Sequence, residues 1–542
     1  MTTVFWVAVL VPVLGLASSI AVERMIVPRV QLRRHWATWA LHAGVWLVPY
    51  LILLLLLGRP VYSAVSVAAI QLTVVLVNNA KYRSLREPFV FQDYEYFTDA
   101  IRHPRLYIPF MGWGKFLAAT AGFVLAVSIG LWGEPVPEAR FEWAAQGGAL
   151  LALACVAVVL LMLGHEYAPD AVFDPESDMV RLGMVASMWR YAQHGRKVPV
   201  AESPFHEVRG AVQGGSAETS LSPDVVSRGA DLPHMVSVQS ESFFDARSLW
   251  DGVRTDVLAN FDALRREAQI HGRLSVPAWG ANTVRTEFAF LSGVDTYELG
   301  VHRFNPYRAV AAGMQVASLA SYLKGRGYRT VCVHPYPANF YLRDRVFPAL
   351  GFDEFIDIRS FDGTDRYGPY ISDLAVARRV ASLLQAAQEP TFVHVITMEN
   401  HGPLHLERVK QGDLERLYHL PPPAGCDDLT IYLRHLRNAD EMLGALKETL
   451  VASGRPASLC WFGDHVPIMP KVYDTFGTPD GNVEYAVWRN WGTEGRSNGV
   501  GRSSRDDRGS TIILHFAGTR ASIKRNLAAH QLGRTWLEVA GV

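Results

Sequence analysis

Polar side chains suited to metal chemistry follow four short apolar segments in the second half of the chain. They are two carboxylates, three imidazoles and one guanidinium: Glu241, His334, Arg343, His401, Asp464 and His465. Carboxylate oxygens combined with imidazole nitrogens suit Mn²⁺, Mg²⁺ or Zn²⁺. Any one of these residues alone is more often structural, so their convergence is the observation that points to a site.

The segments that must position these side chains have the pattern of an α/β domain. Short apolar runs predict strands, and the stretches between them have helical spacing. The predicted strands are 234–239, 330–334, 392–397 and 458–462, and the predicted helices lie near 255–270, 316–325, 373–388 and 430–452. Alternating strands and helices predict a mostly parallel sheet covered by helices. Ligands of such sheets bind beyond the carboxyl ends of the strands, where the polar residues stand.

A further segment, residues 280–293, combines a Gly/Asn turn with an amphipathic helix that ends at Gly293. Thr283 falls at the N-cap or in the first turn. One interpretation is plain helix capping, which threonine often provides. The other is chemical, because a hydroxyl at a helix N-terminus lies near the positive end of the helix dipole. A metal bound there would lower its pKa and make it a nucleophile.

The first half of the chain is dominated by apolar runs of the length that crosses a bilayer. Five runs lack any formally charged residue: 4–22, 37–57, 61–77, 116–132 and 147–163. A hydrocarbon core of about 30 Å needs roughly 20 apolar helical residues. The first run has no basic residue before it, which disfavours a signal peptide. The pattern predicts an α-helical transmembrane bundle with five spans.

These features divide the chain into three predicted regions. Residues 1–164 form the transmembrane domain, residues 165–230 a juxtamembrane helix and linker, and residues 231–542 the catalytic domain. The helix is expected over residues 178–191 with Asp178 as its N-cap, and the Gly- and Ser-rich stretch 201–230 is expected to be the linker. Residues 475–542 show no assignable pattern.

Composition and charge exclude several classes of protein. Half of the chain, 49%, is hydrophobic, which excludes a disordered chain. Residues 1–164 carry 12 Lys and Arg against 8 Asp and Glu, and the remainder carries 40 against 44. No basic stripe appears, so nucleic acid is not an expected partner. The four cysteines have no metal-ligand spacing and are expected to be packed thiols.

Five motifs in this order resemble the lipoteichoic acid synthase and phosphoglycerol transferase branch of the alkaline phosphatase/sulfatase superfamily. The resemblance covers roughly residues 231–470, and five N-terminal spans also fit it. The motifs are Ser240-Glu241-Ser242-Phe243, Asn282-Thr283 with Glu287-Phe288, Phe340-Tyr341-Leu342-Arg343-Asp344, Asn400-His401-Gly402-Pro403 and Gly463-Asp464-His465. The resemblance implies an alkaline-phosphatase/sulfatase-like α/β domain.

The resemblance also implies a role for each matched residue. The ligands of one divalent ion, Mn²⁺ with Mg²⁺ and Zn²⁺ as alternatives, would be Glu241, Thr283, Asp464 and His465. Thr283 would be the nucleophile. The transferred phosphoglycerol group would be surrounded by His334, Tyr341, Arg343 and His401. Arg343 would neutralise its phosphoryl oxygens and His401 would assist proton transfer. Tyr341 departs from the family pattern, which has Trp there.

The implied function is a membrane-anchored phosphoglycerol transferase. It would move glycerol phosphate from phosphatidylglycerol to an envelope glycan through a covalent threonine intermediate. Three alternatives remain open: a phosphoethanolamine transferase, a hydrolase or sulfatase of the same fold, and a catalytically inactive membrane scaffold. Sulfatases normally place Cys or Ser in a C/S-x-P-x-R setting, whereas Val284 and Arg285 follow Thr283 here.

The two indications of membrane topology disagree. Basic residues are concentrated in connectors 23–36 and 78–115, which the positive-inside rule places in the cytoplasm. With five spans, the catalytic domain would then also be cytoplasmic. The resemblance instead implies the bacterial inner membrane with a periplasmic or extracellular catalytic domain. We expect the second arrangement, because five matched motifs are more specific than a charge count.

Overall fold

The computed structural model divides into two compact units. The first comprises Met1–Val198 and Gly300–Phe304, and the second comprises Pro199–Leu299 and Asn305–Val542. The structure describes residues 9–96, 101–102, 113–134, 140–206, 232–491 and 522–542. The predicted linker therefore falls mostly outside the described residues, and the predicted boundaries at 164 and 230 stay predictions.

The first unit is helical. Its described helices are α1 (Val11–Glu23), α2 (Trp36–Leu57), α3 (Pro60–Leu85), α4 (Trp113–Gly133), α5 (Arg140–Tyr167), α6 (Pro175–Leu182) and α7 (Met184–His194). Helix α2 packs along α5, and α1 packs along α3. Helices thus lie over all five predicted apolar runs, apart from residues 4–8, which are outside the described part of the chain.

Three helical segments are long and apolar enough to cross a membrane: Trp36–Leu57, Pro60–Leu85 and Gly147–Tyr167. The apolar helix Val11–Glu23 is shorter. Length and composition thus identify a membrane-type helical unit, while the number of five spans stays a prediction. Large apolar side chains on these helices are exposed, for example Leu55 at 73% and Leu151 at 68%, which is the pattern expected of lipid-facing surfaces.

Buried polar side chains connect the first helices of this unit. The Arg34 guanidinium pairs with the Glu23 carboxylate at 2.6 Å. The Ser19 hydroxyl donates to Gln71 Oε1 at 2.6 Å and lies 2.8 Å from His42 Nε2. Polar groups between apolar helices are costly unless they are paired, so this network fixes how α1, α2 and α3 align.

The predicted juxtamembrane helix 178–191 is wrong in its start and in its continuity. Gly183 has φ 83° and separates α6 from α7. The N-cap is Asp174, whereas Asp178 is buried within α6, where its carboxylate accepts a hydrogen bond from the Val172 amide. The sequence places several acidic residues together, and only the fold decides which one faces the helix start.

The second unit is built around a mixed sheet. Its strands are β1 (His234–Ser240), β2 (Ile270–Ser275), β3 (Arg329–Val333), β4 (Glu354–Ile356), β5 (Arg366–Tyr367), β6 (Tyr370–Ile371), β7 (Thr391–Ile396), β8 (Ala457–Gly463), β9 (Val483–Arg489), β10 (Ile523–Lys524) and β11 (Leu527–Ala528). The main sheet has the order β10-β2-β9-β8-β1-β7-β3-β4, and β11 also pairs with β2. Strands β5 and β6 form a separate hairpin.

Helices flank this sheet. They are α8 (Ala259–Glu267), α9 (Thr283–Ser292), α10 (Pro306–Ala311), α11 (Leu319–Gly325), α12 (Arg343–Ala349), α13 (Asp373–Ala386), α14 (Asp413–Leu417), α15 (Asp427–Ala452), α16 (Pro470–Phe476) and α17 (Ala529–Ala540). The four predicted strands and the four predicted helical stretches are confirmed. Strands β8, β1, β7, β3 and β4 run parallel, as predicted, so their carboxyl ends meet at one edge.

The unassigned C-terminal residues complete the sheet and support the site. Strand β9 runs antiparallel to β8 and β2. Helix α17 packs against α9, and buried Trp536 donates from its indole nitrogen to the Ser458 hydroxyl at 2.9 Å. Phe290 of α9 lies between Trp536 and Phe462, with ring centroids 6.4 and 4.5 Å away. Residues 492–521 lie outside the described part of the chain.

Candidate metal and phosphoryl-transfer site

Three ligand-type side chains converge at the carboxyl ends of two neighbouring strands. Glu241 follows β1, and Asp464 and His465 follow β8, and these strands are paired in register up to Ser240 and Gly463. One potential ligand atom from each side chain lies within 4.8 Å of the others. His465 Nε2 is 3.7 Å from Glu241 Oε1 and 3.4 Å from Asp464 Oδ2. All three side chains are buried.

Ser242 and a backbone carbonyl orient these three side chains. The Ser242 amide donates to Asp464 Oδ1 at 2.8 Å, and its hydroxyl donates to Glu241 Oε1 at 2.9 Å. His465 Nδ1 lies 3.1 Å from the carbonyl oxygen of Val466. Because a carbonyl only accepts, Nδ1 carries a proton, and Nε2 is the ring nitrogen that faces the carboxylates.

This arrangement fits a divalent cation. Asp464 Oδ2 is buried without a hydrogen-bond partner. Burial, together with the neighbouring Asp464 carboxylate, raises the pKa of Glu241 to about 8. Two buried carboxylates repel one another at this distance unless a positive charge lies between them. The residues present are the ligands that Mn²⁺ and Zn²⁺ prefer.

Thr283 is the first residue of the helix that lies beside this cluster. The N-cap position belongs to Asn282, which has φ 65°, so the capping interpretation of Thr283 is wrong. Thr283 itself is buried, with 8% of its surface exposed. One turn further, the Thr286 hydroxyl donates to the Asp464 carbonyl oxygen at 2.7 Å. This bond fixes the start of α9 to the loop that carries two of the ligand-type residues.

Arg343 lies in a buried ion pair that the sequence did not predict. Its Nη2 and Nε atoms donate to Glu287 Oε2 and Oε1 at 2.7 and 3.0 Å. The Tyr307 hydroxyl donates to Glu287 Oε1 at 2.5 Å. Both members of the pair are almost completely buried. The sequence signal that could have placed Glu287 near the site was its spacing from Thr283, because residues four apart on a helix lie on the same face.

His334 holds Arg343 from the other side. Its Nδ1 donates to the Ile396 carbonyl oxygen at 3.1 Å, and its Nε2 accepts from Arg343 Nη1 at 3.2 Å. Burial, reinforced by the Arg343 charge, lowers the pKa of His334 well below its usual range, so the ring is neutral. With both nitrogens engaged, a direct bond to a substrate would require His334 to release Arg343.

His401 and Tyr341 complete the predicted set. His401 Nδ1 donates to the Gly402 carbonyl oxygen at 2.7 Å, and its Nε2 has no hydrogen-bond partner among the residues that the structure describes. Burial lowers the pKa of His401, which favours the neutral ring. Tyr341 has φ 57°, and its ring lies 5.3 Å from the Arg343 guanidinium carbon. A left-handed non-glycine residue stores strain of about 1–3 kcal/mol, which is typical of functional sites.

The mostly parallel sheet and the buried carboxylate–imidazole cluster at its carboxyl edge define an α/β protein with a candidate divalent-metal centre. A family model described as Sulfatase matches residues 233–542. This match includes every predicted site residue and more than half of the chain. The chain therefore belongs to the sulfatase family.

Individual relatives are bacterial proteins. The chain is 29% identical over 451 residues to the capsular polysaccharide biosynthesis protein RkpI of Rhizobium meliloti (strain 1021), covering 79% of this chain and 77% of that protein. It is 24% identical over 143 residues to lipoteichoic acid synthase 1 of Bacillus subtilis (strain 168), covering 26% and 21%. Among solved structures, Streptococcus pyogenes phosphoglycerol transferase GacH, in complex with sn-glycerol-1-phosphate, is 18% identical, with a TM-score of 0.44 and coverage of 64% and 80%.

The repulsion inside the cluster predicts that one substitution raises the thermal stability of the metal-free chain and lowers its affinity for metal. Asp464→Asn keeps the oxygen that accepts the Ser242 amide but removes one negative charge. We expect the metal-free full-length chain to melt at a higher temperature, while its affinity for Mn²⁺ falls by about a hundredfold or more. Calorimetric titration and thermal unfolding with and without Mn²⁺ measure both. Glu484→Gln, which changes a half-buried carboxyl that accepts the Asp245 amide, is the control and should leave Mn²⁺ affinity unchanged. Unchanged affinity in Asp464→Asn would contradict the assignment.

The Glu287–Arg343 pair gives a stability prediction. Removing one partner leaves a buried charge unpaired, so Glu287→Gln and Arg343→Met should each lower the free energy of unfolding by about 3–5 kcal/mol. The double variant should lose clearly less than the sum. Denaturant titration of the four proteins measures this coupling. Glu538→Gln, which breaks the exposed Arg534–Glu538 pair, should cost less than about 0.5 kcal/mol; additive losses at 287 and 343 would contradict a coupled pair.

Proposed function

We propose that the chain is a membrane-anchored phosphoglycerol transferase. It takes glycerol phosphate from phosphatidylglycerol and passes it, through Thr283, to a hydroxyl group of an envelope glycan. The observation that carries the proposal is the buried Glu241–Asp464–His465 cluster, which one hydrogen bond from Thr286 joins to the helix that begins at Thr283. The apolar helices of the first unit support a lipid donor.

The metal requirement follows from the charge of the cluster. Glu241, Asp464 and His465 would hold the ion, with Thr283 as a further ligand and Mn²⁺ as the proposed metal. When bound, a divalent ion lowers the pKa of an adjacent hydroxyl and neutralises charge on phosphoryl oxygens. The chain itself must then supply the nucleophile, the phosphate-binding donors and the proton acceptor.

In the first half-reaction, Thr283 Oγ attacks the phosphorus of the donor. The new bond joins Oγ to phosphorus, and the bond between phosphorus and the diacylglycerol oxygen breaks. Diacylglycerol leaves as the alcohol with the proton that the Thr283 hydroxyl gives up. A guanidinium has five N–H groups, and Arg343 uses three on Glu287 and His334. The remaining two are available to the phosphoryl oxygens, and the N-terminus of α9 adds its dipole.

In the second half-reaction, an acceptor hydroxyl displaces Thr283 from phosphorus. His401 is suited to accept the hydroxyl proton, because its Nδ1 is fixed on the Gly402 carbonyl and its Nε2 lone pair is available. The proton that His401 accepts then passes to the Thr283 oxygen as the product leaves. The name of RkpI, a capsular polysaccharide biosynthesis protein, supports a glycan as the acceptor.

The proposed location is the bacterial inner membrane, with the catalytic unit on its outer side. Basic connectors in the first unit are then available to anionic lipid head groups. Two fusions after Val542 test this location in intact cells. One carries a reporter that is active only in the cytoplasm, and the other carries a reporter that is active only outside it. We expect signal only from the reporter that works outside, and a cytoplasmic signal would overturn the location.

Separately labelled lipids test the reaction. Proteoliposomes of the full chain with Mn²⁺ receive phosphatidylglycerol labelled in its head glycerol, or phosphatidylethanolamine labelled in its ethanolamine. We expect diacylglycerol release and labelled product from phosphatidylglycerol alone. Release from phosphatidylethanolamine alone would identify the other transferase, and a chain that uses neither lipid would contradict the proposal.

Three variants of the same preparation separate the half-reactions. Thr283→Ala should lower diacylglycerol release by about a thousandfold or more, whereas Thr283→Ser, which keeps a hydroxyl, should retain measurable activity. His401→Asn should slow transfer by about a hundredfold and let a glycerophosphate adduct accumulate on Thr283. Intact-protein mass spectrometry detects this adduct, and an adduct on Thr283→Ala would contradict the nucleophile assignment.

A further inference from the structure

The segment that follows His401 exposes large apolar side chains. We call residues 404–425, which lie between β7 and α15, the 404–425 lobe. Leu406, Leu414 and Leu420 in this lobe are 58%, 40% and 62% exposed. Scattered exposed leucines are ordinary on a protein surface, so their number alone decides nothing. What makes these leucines informative is the anchoring of the lobe, the charges around them and their closeness in sequence to His401.

The exposure belongs to a well-anchored structure. Arg434 of α15 donates to Glu407 Oε2, Asp413 Oδ2 and the Arg408 carbonyl oxygen at 2.8, 2.8 and 3.2 Å. One buried guanidinium therefore binds residues 407, 408 and 413 and holds the first half of the lobe in place. Leu404 and Leu417 are buried in the core of the unit. The fold thus selects which leucines of the lobe are buried and which face outward.

Charge is divided between the inside and the outside of the lobe. Its acidic residues Glu407 and Asp413 face inward to Arg434. The outward positions hold Arg408, Lys410 and Arg416, with Glu415 as the exposed acid of the segment. Lys410 Nζ lies 4.3 Å from the centroid of the Tyr367 ring, and Arg416 Nη2 lies 3.7 Å from Asp413 Oδ1. The outer surface is therefore basic and apolar together. That composition is typical of segments that rest on anionic lipid, where leucines enter the acyl boundary and cations meet phosphates.

A buried histidine connects the lobe to the loop that carries His401. His435 lies between two carboxylates, with Nδ1 2.9 Å from Glu399 Oε1 and Nε2 2.7 Å from Glu407 Oε1. Glu399 stands two residues before His401, and Glu407 belongs to the lobe. Because both ring nitrogens face carboxylates, the imidazole bridges the two segments. The orientation of the lobe and the placement of His401 are therefore linked.

We propose that the 404–425 lobe is a membrane-contacting surface that rests on the anionic leaflet containing the donor lipid. Leu406, Leu414 and Leu420 enter the acyl boundary, and Arg408 and Lys410 lie at the phosphate level. The inference rests on the proposed function, because a phospholipid donor presents its phosphorus at that level. Resting there places the loop of His401 beside the head group that has to be transferred.

Site-directed fluorescence tests this contact without requiring turnover. Single cysteines replace Leu406, Leu420 or, as a control, Val451 at the end of α15 in a full-length Cys155→Ser background, because the other three cysteines are buried. Val451 is also an exposed apolar residue, at 56%. Each protein carries a polarity-sensitive fluorophore in nanodiscs of equal phosphatidylcholine and phosphatidylglycerol with a nitroxide on the acyl chain.

We expect quenching of about twofold or more at positions 406 and 420 and none at 451. Quenching at 406 and 420 no greater than at 451 would overturn the proposal. Retained Mn²⁺ binding in each labelled protein shows that the fold is intact. A chain that used a different donor would still show the quenching, so failure of the proposed function and failure of this inference are distinguishable.

A double variant tests the contribution of the basic side chains to membrane binding. Arg408→Gln with Lys410→Gln should reduce lobe–membrane affinity by about fivefold per residue in phosphatidylglycerol-containing nanodiscs, and should have no effect in phosphatidylcholine alone. Cleavage of a water-soluble short-chain phosphatidylglycerol should stay unchanged, because the substitutions leave the site intact. Equal quenching of the wild-type and double-variant probes in phosphatidylglycerol-containing nanodiscs would overturn the electrostatic part of the contact.

Discussion

Two buried carboxylates and an imidazole nitrogen lie against one another at the carboxyl ends of β1 and β8, and the rest of the second unit is arranged around this constraint. The paired register of Ser240 and Gly463 brings Glu241 beside Asp464. Ser242 fixes both side chains, and Thr286 ties α9 to the same loop. Such a cluster is costly without a cation, which makes it a candidate site for a divalent ion.

A second buried charge system lies next to the first and is already balanced. Glu287 neutralises Arg343, while His334 and Tyr307 complete the hydrogen bonds around the pair. The anionic cluster therefore attracts the ion, and Arg343 remains a fixed set of N–H donors rather than a mobile surface cation. A transferred phosphodiester would meet preorganised donors, which is the form of electrostatic stabilisation that costs least at the moment of reaction.

The two units distribute their apolar and charged side chains in opposite ways. The helices of the first unit expose apolar side chains and bury their polar groups in pairs such as Glu23–Arg34. The second unit buries its apolar strands and places charge at one edge of the sheet. The 404–425 lobe combines both surface types, since it directs its acids toward Arg434 and His435 and its leucines outward. The proposed use of a lipid donor would require such a surface between the site and its substrate.

Periodicity and strand-end chemistry are local properties, so the apolar helices, the four central strands and the residues that follow them were predictable from the sequence. It did not reveal β9 or α17, whose roles depend on pairing with β8 and packing on α9 across a long stretch of chain. The wrong N-cap at Asp178 and the unforeseen partnership of Glu287 with Arg343 have the same cause. Side-chain partners are decided by which surfaces meet, and only the tertiary structure brings residues 56 positions apart to within 2.7 Å.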